Sequence, residues 1–479
     1  MAGYAMRRQN WILALAAVAL VAACLFFAFY VPQTPGRMDR PTARLIPRLE
    51  VWDTAADMEM PGLTSRYNVA LLLVIFWALG FGAYGLAVAV TWRNGGGRAA
   101  VVIAASGATL AALVSVFAMP TVNTDIYNYM VSARVASEYE QNPHYVAPDR
   151  FPSDPIYPYA SHQYTNIAGD NKLPAWTLVN IGLAMIAGDN VVKALLVYRG
   201  ALFGLHLVNL ALAGWIAARL APPRLATSLI LFGWNPIVAL QATSKSDTVM
   251  VCFLLLAVAA LVFGRERLAV VPLVLSALVK LLTLPLGAVY AVRELRQGDW
   301  RRIAVEAVLA AGVVALLYLP FLKGLGLFRA HFELLGTEGS TLSGLPRMIA
   351  IAGALALIVT LGWLASDTVP RLLRSWLVVL LYFGLFLSRF SMAWYLMIVI
   401  ALASVVMNWR FHALMVGLTA SAFLVSTWGA TSNSAFRLPS PVDARLAVYY
   451  TLPALVLAAV ALPRLWRLWR SGAPESAGQ

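Results

Sequence analysis

The chain has 479 residues, of which 61% are apolar and only 12% charged, with a mean hydropathy of +0.74. A soluble globule needs about a quarter of its residues charged to solvate its surface, so the composition excludes one. Formal net charge is +14, from 36 Lys and Arg against 22 Asp and Glu. In a soluble chain that excess would point to nucleic acid; where the charges sit decides whether it does so here.

A crossing helix needs about 20 mostly apolar residues, because the hydrocarbon core is about 30 Å thick and a helix rises about 1.5 Å per residue. Runs near that length lie at 11–31, 68–92, 99–119, 194–218, 225–243, 247–264, 303–320, 346–364, 374–388, 391–408, 411–428 and 445–463. The expectation is an all-α polytopic membrane protein with about twelve spans. Arg7-Arg8 and Val21-Ala22-Ala23-Cys24 resemble a lipoprotein signal, but the apolar run continues through Tyr30 and reads as a span. The two cysteines, Cys24 and Cys252, lie inside apolar runs and exclude a disulfide framework or thiolate metal cluster.

Two segments depart from the simple pattern. Residues 268–292 contain Pro272, Lys280 and Pro285 and are basic on both flanks, which predicts a hairpin of two short helices with Lys280 near its outer apex. Residues 174–187 are too short for an ordinary span and read as re-entrant or interfacial.

Lys and Arg in short loops set orientation. The basic segments at 7, 93–98, 218–224, 264–267, 293–302, 371–374, 410 and 464–470 fall on one side, the expected cytosol, which receives both termini. Eighteen basic residues against six acids lie in the cytosolic segments, and eighteen against sixteen outside. Nearly all of the positive excess is therefore a sidedness signal, and nucleic acid is not an expected partner. The largest external region is the loop 120–173.

Ionisable groups at or just beyond membrane depth are costly and are functional candidates. They gather on the outer side. Asp125 opens TDIYNYMVSARVASEYE, where Ile126, Met130, Ala133 and Ala136 recur at helical spacing and predict an amphipathic helix on the membrane surface. Asp247 stands before an outward-starting span in TSKSDTVM. Either acid could simply cap its helix. Lys280 lies in the apolar hairpin and Arg389 in a short outer turn, while Lys172, Arg199, Lys245 and Arg347 sit at outer boundaries. Cations beside apolar walls suit a lipid-linked phosphate, and acids suit proton abstraction from a sugar hydroxyl. Outer-loop tyrosines and Trp176 could stack on sugar rings or mark the interface. No Walker A loop, dinucleotide fingerprint, Ser-His-Asp order or CxxC occurs.

Read together, these segments resemble the GT-C superfamily of membrane glycosyltransferases, and within it the bacterial polyprenyl-phosphate-mannose-dependent mannosyltransferases. TDIYNYMVSARV with QNPHY is similar to the first catalytic loop, and NKLPAWTLVNIGLAMIAGDNVVKALLVYRGALFG to the short helix, acidic turn and Arg-headed span after it. TSKSDTVMVCFLLLAVAAL is similar to the second acidic motif, SALVKLLTLPLGAVY to the lysine hairpin, and SMAWYLMIVIAL to the Pro-Trp-Tyr turn. The likeness covers roughly residues 100–410, in family order. Lys245 stands where the second motif often has His, His144 takes a tyrosine-like position, and Ala393 replaces Pro before Trp394-Tyr395. These departures leave the sugar and acceptor open.

The resemblance implies inverting transfer of a sugar, mannose first, from a polyprenyl-phosphate donor to a glycolipid, glycan or protein acceptor on the outer face of a bacterial inner membrane. Asp125 and Asp247 would be catalytic. Tyr127, Arg134, Lys172, Arg199, Lys245, Lys280, Arg389, Trp394 and Tyr395 would bind substrate, with Lys280, Arg389 and Lys245 on the phosphate. No cofactor is implied, and a divalent cation is left open. Residues 1–98 would be an N-terminal two-span addition, 99–410 the catalytic module, and 411–479 further spans with a basic tail. The alternatives are a flippase or transporter of lipid-linked sugar, with charges lining a path, and a glycan ligase using a lipid diphosphate.

Overall fold

The computed structural model describes residues 2–33, 41–57, 66–121, 124–161, 165–168, 172–322, 344–365, 368–387 and 393–435. All regular structure among them is helical. Eight helical segments are long and apolar enough to cross a membrane, and they coincide with eight of the twelve predicted runs, those at 11–31, 68–92, 99–119, 194–218, 303–320, 346–364, 374–388 and 411–428. Their outward faces keep large apolar side chains accessible, Trp11 at 71% and Val308 at 71% among them. Such surfaces suit lipid and not water.

The remaining runs differ for local reasons. The run 225–243 is broken at Asn235-Pro236: proline has no N–H to continue the ladder, and the Asn235 side chain accepts from Ile237 N to start a new helix. The run 247–264 is a helix of 16 residues, and 391–408 narrows to a 3₁₀ turn followed by 9 α-helical residues. The run 445–463 lies outside the described residues.

The helices are α1 Ala2–Leu25, α2 Glu50–Asp57, α3 Arg66–Asn94, α4 Arg98–Val116, α5 Asp125–Ser137, α6 Pro174–Ala187, α7 Val191–Leu220, α8 Leu225–Gly233 and α9 Pro236–Gln241. They continue with α10 Asp247–Val262, α11 Glu266–Val279, α12 Leu284–Gln297, α13 Trp300–Tyr318, α14 Gly344–Leu364, α15 Val369–Tyr382, α16 Met397–Val405 and α17 Trp409–Ala435. The lysine hairpin forms as expected: α11 ends at Val279, Lys280 turns into extended conformation, and Pro285 restarts the chain in α12.

Close packing at the centre rests on small residues, which let backbones approach where lipid offers no hydrophobic drive. On α4, Ala100, Ala104, Gly107, Ala108 and Ala111 are buried against α1 and α8. A Cβ at Gly107 would lie 2.8 Å from the Trp234 ring, whose Nε1 donates to Ala104 O at 2.8 Å. Further along α4, Ser115 Oγ reaches Ala239 O at 2.9 Å and Thr243 Oγ1 at 3.0 Å. That fixes the turn entering α10. The N-terminal helices are part of this body: α1 packs on α3 and α4, and Trp52 Nε1 donates to Phe117 O at the end of α4.

One local expectation is corrected. Helix α5 is not a surface amphipath, because Ile126 through Val135 are all buried, polar residues included. Its polar face meets protein: Arg134 turns to Asp154 and Asp189, and α6 is tied on where Asn180 Nδ2 donates to Tyr129 O at 2.8 Å.

Candidate active site

Asp125 and Asp247 occupy the same place in their helices, the first residue of α5 and of α10, where free N–H groups and the helix dipole favour a carboxylate. Neither acts as a cap. The residues before them, Thr124 and Ser246, have helical backbone angles and make no side-chain cap bond. Both carboxylates turn to lysines instead. Lys245 Nζ lies 2.6 Å from Asp125 Oδ2, and Lys280 Nζ lies 3.2 and 3.4 Å from the two oxygens of Asp247. The pairs join α5 to the turn before α10, and α10 to the apex of the α11–α12 hairpin.

A pair of consecutive aromatics covers both ammonium groups. Lys245 Nζ stands 3.6 Å from the Trp394 ring centroid and Lys280 Nζ 3.7 Å from that of Tyr395. A cation over an aromatic face is attracted by the ring quadrupole. The two rings stand at 82° to each other, so one dipeptide in a 3₁₀ turn serves two lysines that point at different carboxylates.

Accessibility is crossed between the pairs. In the first, the Asp125 side chain is 33% exposed and Lys245 1%; in the second, Lys280 is 18% exposed and Asp247 1%. The accessible groups are thus one carboxylate and one ammonium, each backed by a buried partner of opposite charge. Burial pushes the Asp125 carboxyl up, but the Lys245 ammonium, with Lys172 and Lys280 behind it, outweighs burial and holds the group below its usual range.

The other expected site residues divide. Lys172 is half-buried, 5.7 Å over the Tyr129 ring, and close enough for Asp125 to feel its charge. Arg199 is buried and donates to Val116 O at 3.3 Å and Ala118 O at 2.6 Å, closing the C-terminal end of α4. Tyr127 is also buried, donating to Pro120 O at 3.3 Å. These two hold the chain that leaves α4, at Val116, Ala118 and Pro120. Arg134 is spent on protein groups: Asp154 Oδ2 at 2.7 Å, Asp189 Oδ1 at 2.6 Å and Gly188 O at 3.2 Å. It pins the loop around Asp154 and the α6–α7 turn to α5. Arg389 lies outside the described residues.

Sequence reasoning missed Asp154, which also accepts from Tyr139 at 3.0 Å and from Ile156 N at 2.8 Å. It sits in a loop with no periodicity to mark it. It likewise missed the docking of the Asn-Pro turn, where Asn142 Nδ2 donates to Phe321 O at 2.9 Å at the end of α13. Among the described residues no group of three or more His, Cys, Asp or Glu is arranged to hold a metal ion.

No family model, curated protein or solved structure matches this chain.

Proposed function

We propose that the protein is an inverting glycosyltransferase that takes a sugar, mannose first, from a polyprenyl-phosphate donor on the outer face of a bacterial inner membrane. The observation that supports this most is the crossed accessibility of the two ion pairs: an accessible carboxylate, Asp125, within electrostatic reach of a partly accessible ammonium, Lys280. Transfer of a sugar from a phosphate needs one of each. Asp125 accepts the proton of the acceptor hydroxyl as its oxygen bonds to the anomeric carbon. The bond from that carbon to the phosphate oxygen breaks, and the polyprenyl phosphate leaves with the electron pair. Lys280 neutralises the charge that develops on it. The exposed apolar helix faces suit a donor whose polyprenyl tail stays in the bilayer.

The order of the motifs, from TDIYNYM through the lysine hairpin to AWYL, supports the GT-C superfamily as the home of this chemistry. Mannose, the class of acceptor and sidedness belong to the same proposal. Purified protein in liposomes, given polyprenyl-phosphate mannose and octyl mannoside as acceptor, tests it. Mannosyl transfer that stops in Asp125→Asn is expected; movement of the intact donor between leaflets without transfer would favour a flippase.

A further inference from the structure

We infer that Lys245 and Asp247 touch no substrate but are positioning residues: Lys245 keeps Asp125 ionised as the base, and Asp247 aims Lys280 at the donor phosphate. The inference rests on the proposed reaction and divides labour within its site.

Burial carries it. Lys245 is 1% accessible, with Asp125 at 2.6 Å, the Trp394 ring at 3.6 Å and Asp247 and Lys280 within electrostatic reach. An ammonium has three donors and no acceptor, and this one is enclosed by its carboxylate and an aromatic face. A phosphate would have to displace Asp125 or Trp394 to reach it. Asp247 is closed in the same degree. Its own carboxylate meets Lys280, while the neighbouring Thr248 is held by its hydroxyl on Ala242 O at 2.6 Å and by Asn209 Nδ2 on its carbonyl at 2.9 Å. The head of α10 is thus fixed from two sides, and Asp247 with it. Asp125 and Lys280 are the members of the quartet with accessible side-chain surface. A buried counter-charge that cannot meet substrate can still set the ionisation and the aim of the group in front of it.

The two supports should fail differently. Lys245→Met removes the charge that holds Asp125 low, so the acid limb of kcat/KM for octyl mannoside, at saturating polyprenyl-phosphate mannose, should move up by about one pH unit or more. Its donor KM should stay within about threefold of the wild type, less than the tenfold that a lost contact of about 1.4 kcal/mol would give. Lys245→Arg keeps the charge and should hold the acid limb in place. Asp247→Asn should raise the donor KM about tenfold while the acid limb stays put. The inference is overturned if either Lys245 variant raises donor KM tenfold with the acid limb unmoved. It is equally overturned if Asp247→Asn lowers kcat with KM unchanged.

If the wild type transfers no sugar, the proposed function fails by itself. The Lys245 half is then read without turnover, from infrared difference spectra of wild type against Asp125→Asn. Titration of the Asp125 carboxylate must still move up in Lys245→Met, and an unmoved titration refutes the assignment.

Discussion

Lys245 Nζ and Asp125 Oδ2 meet at 2.6 Å across 120 positions of sequence, and the contact closes the turn before α10 against the start of α5. Lys245 is buried, so removing Asp125 strands its charge, whereas removing both groups leaves none to strand. Asp125→Asn and Lys245→Met should each lower the melting temperature in detergent. The double variant should melt above the sum of the single losses, with a coupling of about 1–3 kcal/mol. Additive losses would mean that the two groups do not meet in solution.

Arg134 was expected on substrate, and its surroundings assign it to the scaffold. Its partner Asp154 has no accessible side-chain surface. Arg134→Met leaves that carboxylate buried without a counter-charge, held only by Tyr139 and the Ile156 N–H, at a cost of about 3–5 kcal/mol. Arg134→Lys should not restore stability, since an ammonium lacks the planar fork that reaches Asp154 and Asp189 together. Thermal unfolding distinguishes this from a binding role, in which KM would rise and stability would hold.

Trp394 and Tyr395 face different lysines, so their loss should separate. A cation over an exposed or half-buried ring gains about 0.5–2 kcal/mol. Trp394→Ala should act through Lys245 and Asp125 on the pH profile of transfer, and Tyr395→Ala through Lys280 on donor KM. Equal effects of both changes on both readouts would contradict this division.

Much of this arrangement was legible in the chain. Pro272, Lys280 and Pro285 interrupt an apolar run and gave the hairpin, and an acid at the head of each of two helices stood out against its apolar surroundings. What pairs with what was not legible, because Asp125 finds Lys245 and Asp247 finds Lys280 only through helix packing. The amphipathic reading of α5 failed for the same reason: hydrophobic spacing cannot distinguish a face turned to water from a polar face turned to Asp154 and Asp189. The break at Asn235-Pro236 did carry a local signal, since that dipeptide marks a turn even in an apolar run.

A second charged cluster lies at the other end of the lysine hairpin. Glu266, Glu294 and Glu306 share the guanidinium groups of Arg293 and Arg302, with contacts of 2.8–3.3 Å. Three acids against two bases favour one bound proton. Burial, with Glu306 and Glu266 adding to it and Arg302 and Arg293 opposing, pushes the Glu294 carboxyl up to about 7. An unfolded Glu titrates near pH 4.3, at about its reference value. The folded protein thus holds a proton that the unfolded chain has lost in between, and stability should fall as pH rises from about 4.5 to 7. Melting temperatures across that range should lose this slope in Glu294→Gln. A wild-type curve that rises with pH there would contradict the assignment.

The most direct test of the central claim is transfer of labelled mannose from polyprenyl-phosphate mannose to octyl mannoside by the purified protein in liposomes, beside Asp125→Asn at equal protein. The account predicts a mannosylated product of inverted anomeric configuration from the wild type and none from the variant. Product formation that survives in Asp125→Asn, or a product that retains the donor configuration, would contradict it.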